Sequence, residues 1–147
     1  MNISDLLSEK MVLADVEAES KRDLLEKLSN YVAQEEGLDK NTIYEAILER
    51  ENLGSTGYGN GVAFPHARID GLTKVCCVFA RMAKPLDFEA IDAHPVDLIA
   101  FLISPEKSGE DHLQSLVVFS RVLKNDSLCQ QIRAARNAHE IYISLQR

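Results

Sequence analysis

Between Gly54 and His66 the chain reads Gly-Ser-Thr-Gly-Tyr-Gly-Asn-Gly-Val-Ala-Phe-Pro-His, which sets a histidine just behind a glycine-rich loop. Four of the seven glycines of the chain fall between Gly54 and Gly61, so the backbone there can take conformations closed to residues with side chains and can approach an anion closely. The apolar run Val62 to Phe64 then meets Pro65, whose fixed φ and missing N–H end or edge a strand rather than open a helix. His66 is thereby expected to project from stiff, extended backbone. A neutral imidazole is a good nucleophile near neutral pH and can hold a phosphoryl group as a phosphoramidate, aided by a hydrogen bond at its other nitrogen. Composition alone leaves a plainer reading open, a glycine-rich turn that joins a helix to a strand.

Gly57-Tyr58-Gly59-Asn60-Gly61 starts like a dinucleotide fingerprint, but that fingerprint needs a helix directly after the loop to face the pyrophosphate, and Val-Ala-Phe-Pro follows instead. A Walker loop is excluded because no Gly-Lys-Ser/Thr is present. His112 is expected about one turn into a helix that begins near Ser108, where the N-terminal backbone amides and helix dipole favour an anion and depress an imidazole pKa; it also fits a histidine at the edge of the core. Arg50 falls in the last turn of an expected helix. It serves there either as a cation on the C-terminal dipole or as a guanidinium fork for phosphate oxygens. His94 and His139 read as exposed, and four histidines so scattered form no zinc pattern.

The elements that would hold these groups follow from periodicity. Met11 to Ala14 is a short strand candidate. Leu24, Leu25, Leu28, Tyr31 and Val32 form one stripe of a helix from Ser20 to about Glu36, with Ser20 and Asp23 at its start and Gly37 as its stop. A second helix starts near Asp39 or Asn41, presents Ile43, Tyr44, Ile47 and Leu48, and runs to about Arg50, with Gly54 ending any continuation. Lys74 to Ala83, broken by Pro85, and Val96 to Ile103, stopped by Pro105, are continuously apolar and predict strands covered on both faces. Leu86 to Phe88 with Ile91-Asp92 is expected to be irregular or a short strand, and Asp92 to Pro95 a turn. A long helix opens over Ser108 to Asp111 and ends near Lys124. Leu113, Leu116, Val117 and Ser120 make one line along it, and His112, Leu116, Phe119 and Leu123 the adjoining one. Two shorter helices cover about 127–133 and 138–146. Helices alternating with buried strands predict an α/β layered architecture over 1–147 as a single domain, without repeats or long linkers.

The 147 residues suffice for one continuous core without disulfides or metal. A net charge of -7, with no basic block, excludes phosphate-backbone binding of nucleic acid. Cys76, Cys77 and Cys129 are odd in number and poorly spaced for zinc, which predicts buried thiols in a reducing compartment. No apolar run is long enough to cross a bilayer and the N-terminus does not resemble a secretory signal, so a cytoplasmic protein is expected.

Arg50 to His66 as a whole closely resembles the active-site signature of the fructose/mannitol-type IIA domains of the bacterial phosphotransferase system. Phe88-Glu89-Ala90-Ile91-Asp92, Pro95-Val96-Asp97-Leu98 and Asp111-His112-Leu113-Gln114-Ser115-Leu116 resemble the nitrogen-regulatory branch of that family. Tyr58 and Phe64 stand where the pattern usually has aliphatic residues, enlarging the expected walls of the pocket without removing a reactive group. The resemblance implies a mixed, mainly parallel five-stranded sheet flanked on both sides by helices. It implies His66 as phosphoryl acceptor, through Nε2, His112 as second active-site histidine and Arg50 as stabilising cation. In the mechanism that follows, His112 and backbone amides of the loop Ser55, Thr56, Gly57, Gly59, Asn60 and Gly61 hold the equatorial oxygens during in-line transfer. No metal or cofactor takes part. The implied donor is a phosphohistidine carrier of the HPr or NPr kind, and the implied role is regulation, with potassium transport or a sensor kinase among the family's targets. A sugar-uptake component that passes phosphate to a IIB domain shares this chemistry. The lack of a fused IIB, HPr-like or membrane domain favours regulation. An α/β binding module that is never phosphorylated is the third reading.

Overall fold

The computed structural model describes residues 2–107 and 109–146. In chain order the elements are α1 (Ile3–Leu6), a 3-10 turn (Glu9–Met11), β1 (Val12–Val16), α2 (Lys21–Glu36), α3 (Lys40–Leu53), β2 (Gly57–Gly59), β3 (Val62–Ala63), β4 (His66–Ile69), β5 (Cys76–Leu86), β6 (Val96–Pro105), α4 (Glu110–Leu123), α5 (Asp126–Ala134) and α6 (Ala138–Leu145).

The two continuously apolar runs become the middle of one sheet. Successive strand residues face opposite sides, so a run buried at every position needs cover on both. Cys76 through Met82 on β5 and Val96 plus Leu98 through Ser104 on β6 are buried. The two strands pair antiparallel, from Cys76 opposite Ile103 to Leu86 opposite Val96. β1 adds in parallel to β5, and β3 and β4 both add in parallel to β6. The order is β1-β5-β6-β3-β2, with β4 also on β6.

Among the described residues the sheet thus has six strands where five are expected, and the register explains the difference. Val62 lies opposite Leu98 and His66 opposite Leu102, the same offset. β3 and β4 are therefore one lane interrupted at Phe64-Pro65, and the Leu102 N–H bridges the gap by donating to the Pro65 carbonyl at 2.9 Å. The sheet has five lanes, and its parallel pairings are β1 with β5 and the two halves of the broken lane with β6. Proline can stand here because the missing donor falls in the gap between two halves of one strand.

Helix boundaries follow local caps. Ser20 accepts from the Asp23 N–H at the start of α2, and Gly37, at φ 68°, closes it in the left-handed conformation open to glycine. Asp39 caps α3, which continues beyond Arg50 to Leu53 before Gly54 ends it. β5 also runs past its expected end. Pro85 lies inside it, in the exposed stretch Ala83–Pro85 where the ladder to β6 slips and no central hydrogen bond is lost. Ser108, the expected start of the long helix, lies outside the described residues; α4 itself begins at Glu110. Of its two apolar lines only the one through His112, Phe119 and Leu123 is buried, while Leu113 and Val117 remain 60% and 51% exposed.

The three cysteines are free and buried, and burial pushes the Cys76 thiol up to about 11 and Cys77 further. Among the described residues no helix is long and apolar enough to cross a membrane.

Candidate functional site

His66 opens β4, immediately after the break in the lane. Its Nδ1 stands 2.7 Å from the Phe64 carbonyl oxygen. A carbonyl can only accept, so Nδ1 carries the hydrogen and Nε2 keeps its lone pair in the neutral ring. The short-range geometry belongs to the Phe64-Pro65 kink, which turns a carbonyl two residues back toward the ring. Burial holds His66 below the ordinary imidazole value, the bond to Phe64 opposes that, and the Arg50 guanidinium adds to the depression. The ring is therefore neutral and nucleophilic at physiological pH.

His112 arrives from α4 and stacks obliquely near it, with ring centroids 5.5 Å apart and planes at 53°. It is 6% exposed. Burial, then the charges of Arg68 and His66, push its pKa down to about 4, so this ring too is neutral. Its Nδ1 is engaged by the hydroxyl of Ser104 on β6, a residue with no exposed surface. When the Ser104 hydroxyl donates, Nε2 carries the hydrogen and becomes a donor that brings no full charge of its own.

Strand periodicity adds a residue that sequence reasoning missed. Arg68 lies two positions after His66 on β4, hence on the same face, and opposite Ser104 in the register. Its guanidinium rests on the carbonyls of Glu106 and Gly109, both at 3.4 Å, and its charge is felt at both histidines. A strand assignment for 66–69 would have found it. The four residues between Pro65 and the turn that the chain makes at Asp70 and Gly71 are too short a signal.

Arg50 serves both readings at once. Its guanidinium donates to the Gly54 carbonyl at 2.9 Å, closing the C-terminus of α3, and it also lines the cavities on either side of His66. One cavity, about 370 Å³, is lined by Arg50, Leu53, His66, Arg68 and His112. The other, about 250 Å³, is bounded by Tyr58, Phe64, Ile91 and Leu116 together with Ser55 to Gly57. Tyr58 and Phe64, the two enlarged positions, meet edge to face at 5.7 Å and form one wall of it.

The glycine loop divides in two. Ser55, Thr56 and Gly57 border the second cavity with His66. Gly59, Asn60 and Gly61 form the far end of the β2–β3 hairpin and line neither cavity. Asn60, at φ 56°, donates its N–H to Asp92 at 3.0 Å, and its carbonyl accepts from Arg133 at 2.9 Å. A Cβ on Gly61 would come within 2.6 Å of Arg133 and 2.8 Å of Asp97, and one on Gly57 within 2.7 Å of the Ala90 backbone, so these glycines are where neighbouring groups approach closest. Three loop amides already have protein acceptors: Thr56 on Glu51, Gly57 on Ser55 Oγ, and Asn60 on Asp92. Glu51, also missed from sequence, is 6% exposed and accepts from Thr56 through both N–H and hydroxyl. His94 and His139 are exposed, His139 facing Glu9 at 2.7 Å.

Around the openings stand exposed apolar side chains, Leu53 at 82% and Ile91 at 83%, with Tyr58 at 46% under the Lys124 ammonium. Leu113 and Val117 are also exposed on α4. A half-buried nucleophilic ring, two guanidinium groups, a neutral histidine donor and an apolar rim are suited to receive an anionic group from another macromolecule.

Residues 5–147 match the family described as the EIIA 2 component of the phosphoenolpyruvate-dependent sugar phosphotransferase system. A nitrogen regulatory protein of Bradyrhizobium diazoefficiens is 38% identical over 142 residues, spanning 97% of this chain and 93% of its own length. The crystal structure of the nitrogen regulatory protein IIA-Ntr from Neisseria meningitidis superposes with a TM-score of 0.91 at 32% identity, covering 97% of this chain and 98% of that one. The IIA mannitol structure from Escherichia coli, at 18% identity and a TM-score of 0.81 over 95% of this chain and 98% of its own, shares the fold.

Proposed function

The chain belongs to the EIIA 2 family of the phosphoenolpyruvate-dependent sugar phosphotransferase system, and from that premise we propose that it accepts a phosphoryl group on Nε2 of His66 from a small phosphohistidine carrier of the HPr or NPr kind and acts as a phosphorylation-dependent regulator in the cytoplasm. The observation that carries this reading is the His66 Nδ1–H donated to the Phe64 carbonyl, which leaves Nε2 as the free nucleophile.

In the transfer, the Nε2 lone pair attacks phosphorus as the nitrogen–phosphorus bond of the carrier breaks on the opposite side, and the carrier imidazole departs with that electron pair. His66 becomes cationic as the new bond forms, and the Phe64 carbonyl sits at the Nδ1–H where that charge is shared. Arg50 and Arg68 face the charge on the phosphoryl oxygens, and His112 donates from Nε2 while Ser104 holds its other nitrogen. The apolar rim seats the carrier so that its phosphoryl group faces Nε2. In the phosphorylated form a dianion stands beside Tyr58, Leu53 and Ile91, which changes what that surface can bind; this is the proposed regulatory output.

Regulation rather than sugar uptake is favoured by the nitrogen regulatory relatives. The test is incubation with a phosphorylated carrier: acid-labile phosphate is expected on the native chain and none on His66→Ala. Full labelling of the variant overturns the acceptor assignment. Rapid passage of that phosphate to a sugar-specific IIB domain, with equal binding of both forms to every protein captured, overturns the regulatory part.

A further inference from the structure

The acceptor histidine is tied, bond by bond, to a buried carboxylate on the opposite side of its loop. Glu51 sits in the last turn of α3 with its carboxylate 2% exposed and 2.8 Å from the Lys21 ammonium. Lys21 lies over the Phe88 ring at 4.6 Å, and the Phe88 carbonyl accepts from Ser55 at 2.8 Å. Glu51 accepts from the Thr56 N–H at 3.2 Å and from the Thr56 hydroxyl. The Thr56 carbonyl accepts from the Phe64 N–H at 3.0 Å, and the Phe64 carbonyl accepts from His66.

We propose that Glu51 is a positioning residue for His66, acting through Thr56 and Phe64 to aim the carbonyl that keeps the hydrogen on Nδ1 and the lone pair on Nε2. The claim rests on the acceptor role given to His66 above and goes beyond it by naming what sets the tautomer. Two features single out this route. The Phe64 carbonyl lies in the gap between the two halves of a broken lane, where regular pairing to β6 does not orient it; its own N–H is held by Thr56, whose amide and hydroxyl are both held by Glu51. And the negative charge of Glu51, like the Phe64 bond, favours the protonated ring against burial, Arg50 and Arg68, which is the direction the ring takes as it attacks. A carboxylate this deep needs partners for each lone pair, and it finds them in Thr56 and Lys21 rather than in solvent.

The experiment reads the ring itself. In Glu51→Ala, nitrogen chemical shifts of His66 are expected to move from a single Nδ1–H tautomer to a mixture, and the phosphotransfer rate from a phosphorylated carrier to fall about 10-fold with KM within about twofold. Glu51→Gln, which retains an acceptor for Thr56, should restore most of the tautomer preference. Thr56→Val, which removes only the hydroxyl link, should shift the tautomer in the same direction by less, and it decides the matter should Glu51→Ala not fold. A folded Glu51→Ala, or Thr56→Val, with the native tautomer and native pH–rate profile overturns the proposal. Because the nitrogen shifts are read without any carrier, a native chain that never becomes labelled refutes the acceptor assignment and leaves the test of Glu51 intact.

Discussion

One cavity beside His66 holds Arg50, Arg68 and His112; the other, which Arg50 also reaches, holds Tyr58, Phe64, Ile91 and Leu116. The first group has charge or hydrogen-bond donors held on β4, α3 and α4 by backbone carbonyls and Ser104. The second has aromatic and aliphatic surface, part of it more than four-fifths exposed at Ile91. Charge on the donor side can act only on a group that develops charge. Exposed apolar area contributes only when something covers it. Apart from Arg50, which borders both, the residues assigned to transfer and these apolar ones line different cavities, and substitutions in the two should fail in different kinetic parameters.

The largest expected effect lies on the donor side. His112→Gln should lower the turnover of transfer about 100-fold with KM little changed, as for loss of one preorganised donor; a raised KM with native turnover would place His112 with the rim instead. The same residue makes a stability prediction. Its folded pKa of about 4 lies below the ordinary 6.5, so its contribution is complete above pH 6.5 and is lost as pH falls toward 4. Urea unfolding at pH 7 and pH 5 should differ by about 2 kcal/mol from this group, and His112→Gln should lack that part of the slope.

In the other cavity, Ile91→Ser should raise the KM for the phosphorylated carrier about 10-fold at constant turnover, since covering one isoleucine is worth roughly 1.5–3 kcal/mol. A matching drop in turnover would dissolve the division between the two sides. The smallest effect belongs to the exposed cation: Arg68→Gln should slow transfer about 3-fold at low salt and less at high salt, because solvent and ions screen it. Its removal should also raise the pKa of His112, readable by proton NMR titration, since Arg68 is the second cause of the depression.

Legibility of these features in the sequence depended on the distance over which their causes act. Helix stripes and caps are local, so α2, with Ser20 and Gly37 at its ends, could be placed within a residue or so. The two central strands were visible because burial on both faces leaves no polar residue in the run. β2 and β4 were not, since three and four residues are too few to show a period, and their existence rests on partners across the sheet. On α4 the sequence showed two equally apolar lines, and only packing decided that Phe119 faces inward while Leu113 and Val117 face out.

By itself, then, the sequence determined the α/β class, the glycine loop feeding a proline-histidine, and a family signature spanning Arg50 to His66, because each of these is written in neighbouring residues. Tertiary structure alone decided that Arg68 stands beside His112, that Ser104 holds that ring, and that Glu51 reaches His66 by way of Thr56 and Phe64. Those relations join residues from separate elements, and a hydrogen bond or a Coulomb term depends on where the fold brings two groups together, which their separation along the chain does not specify.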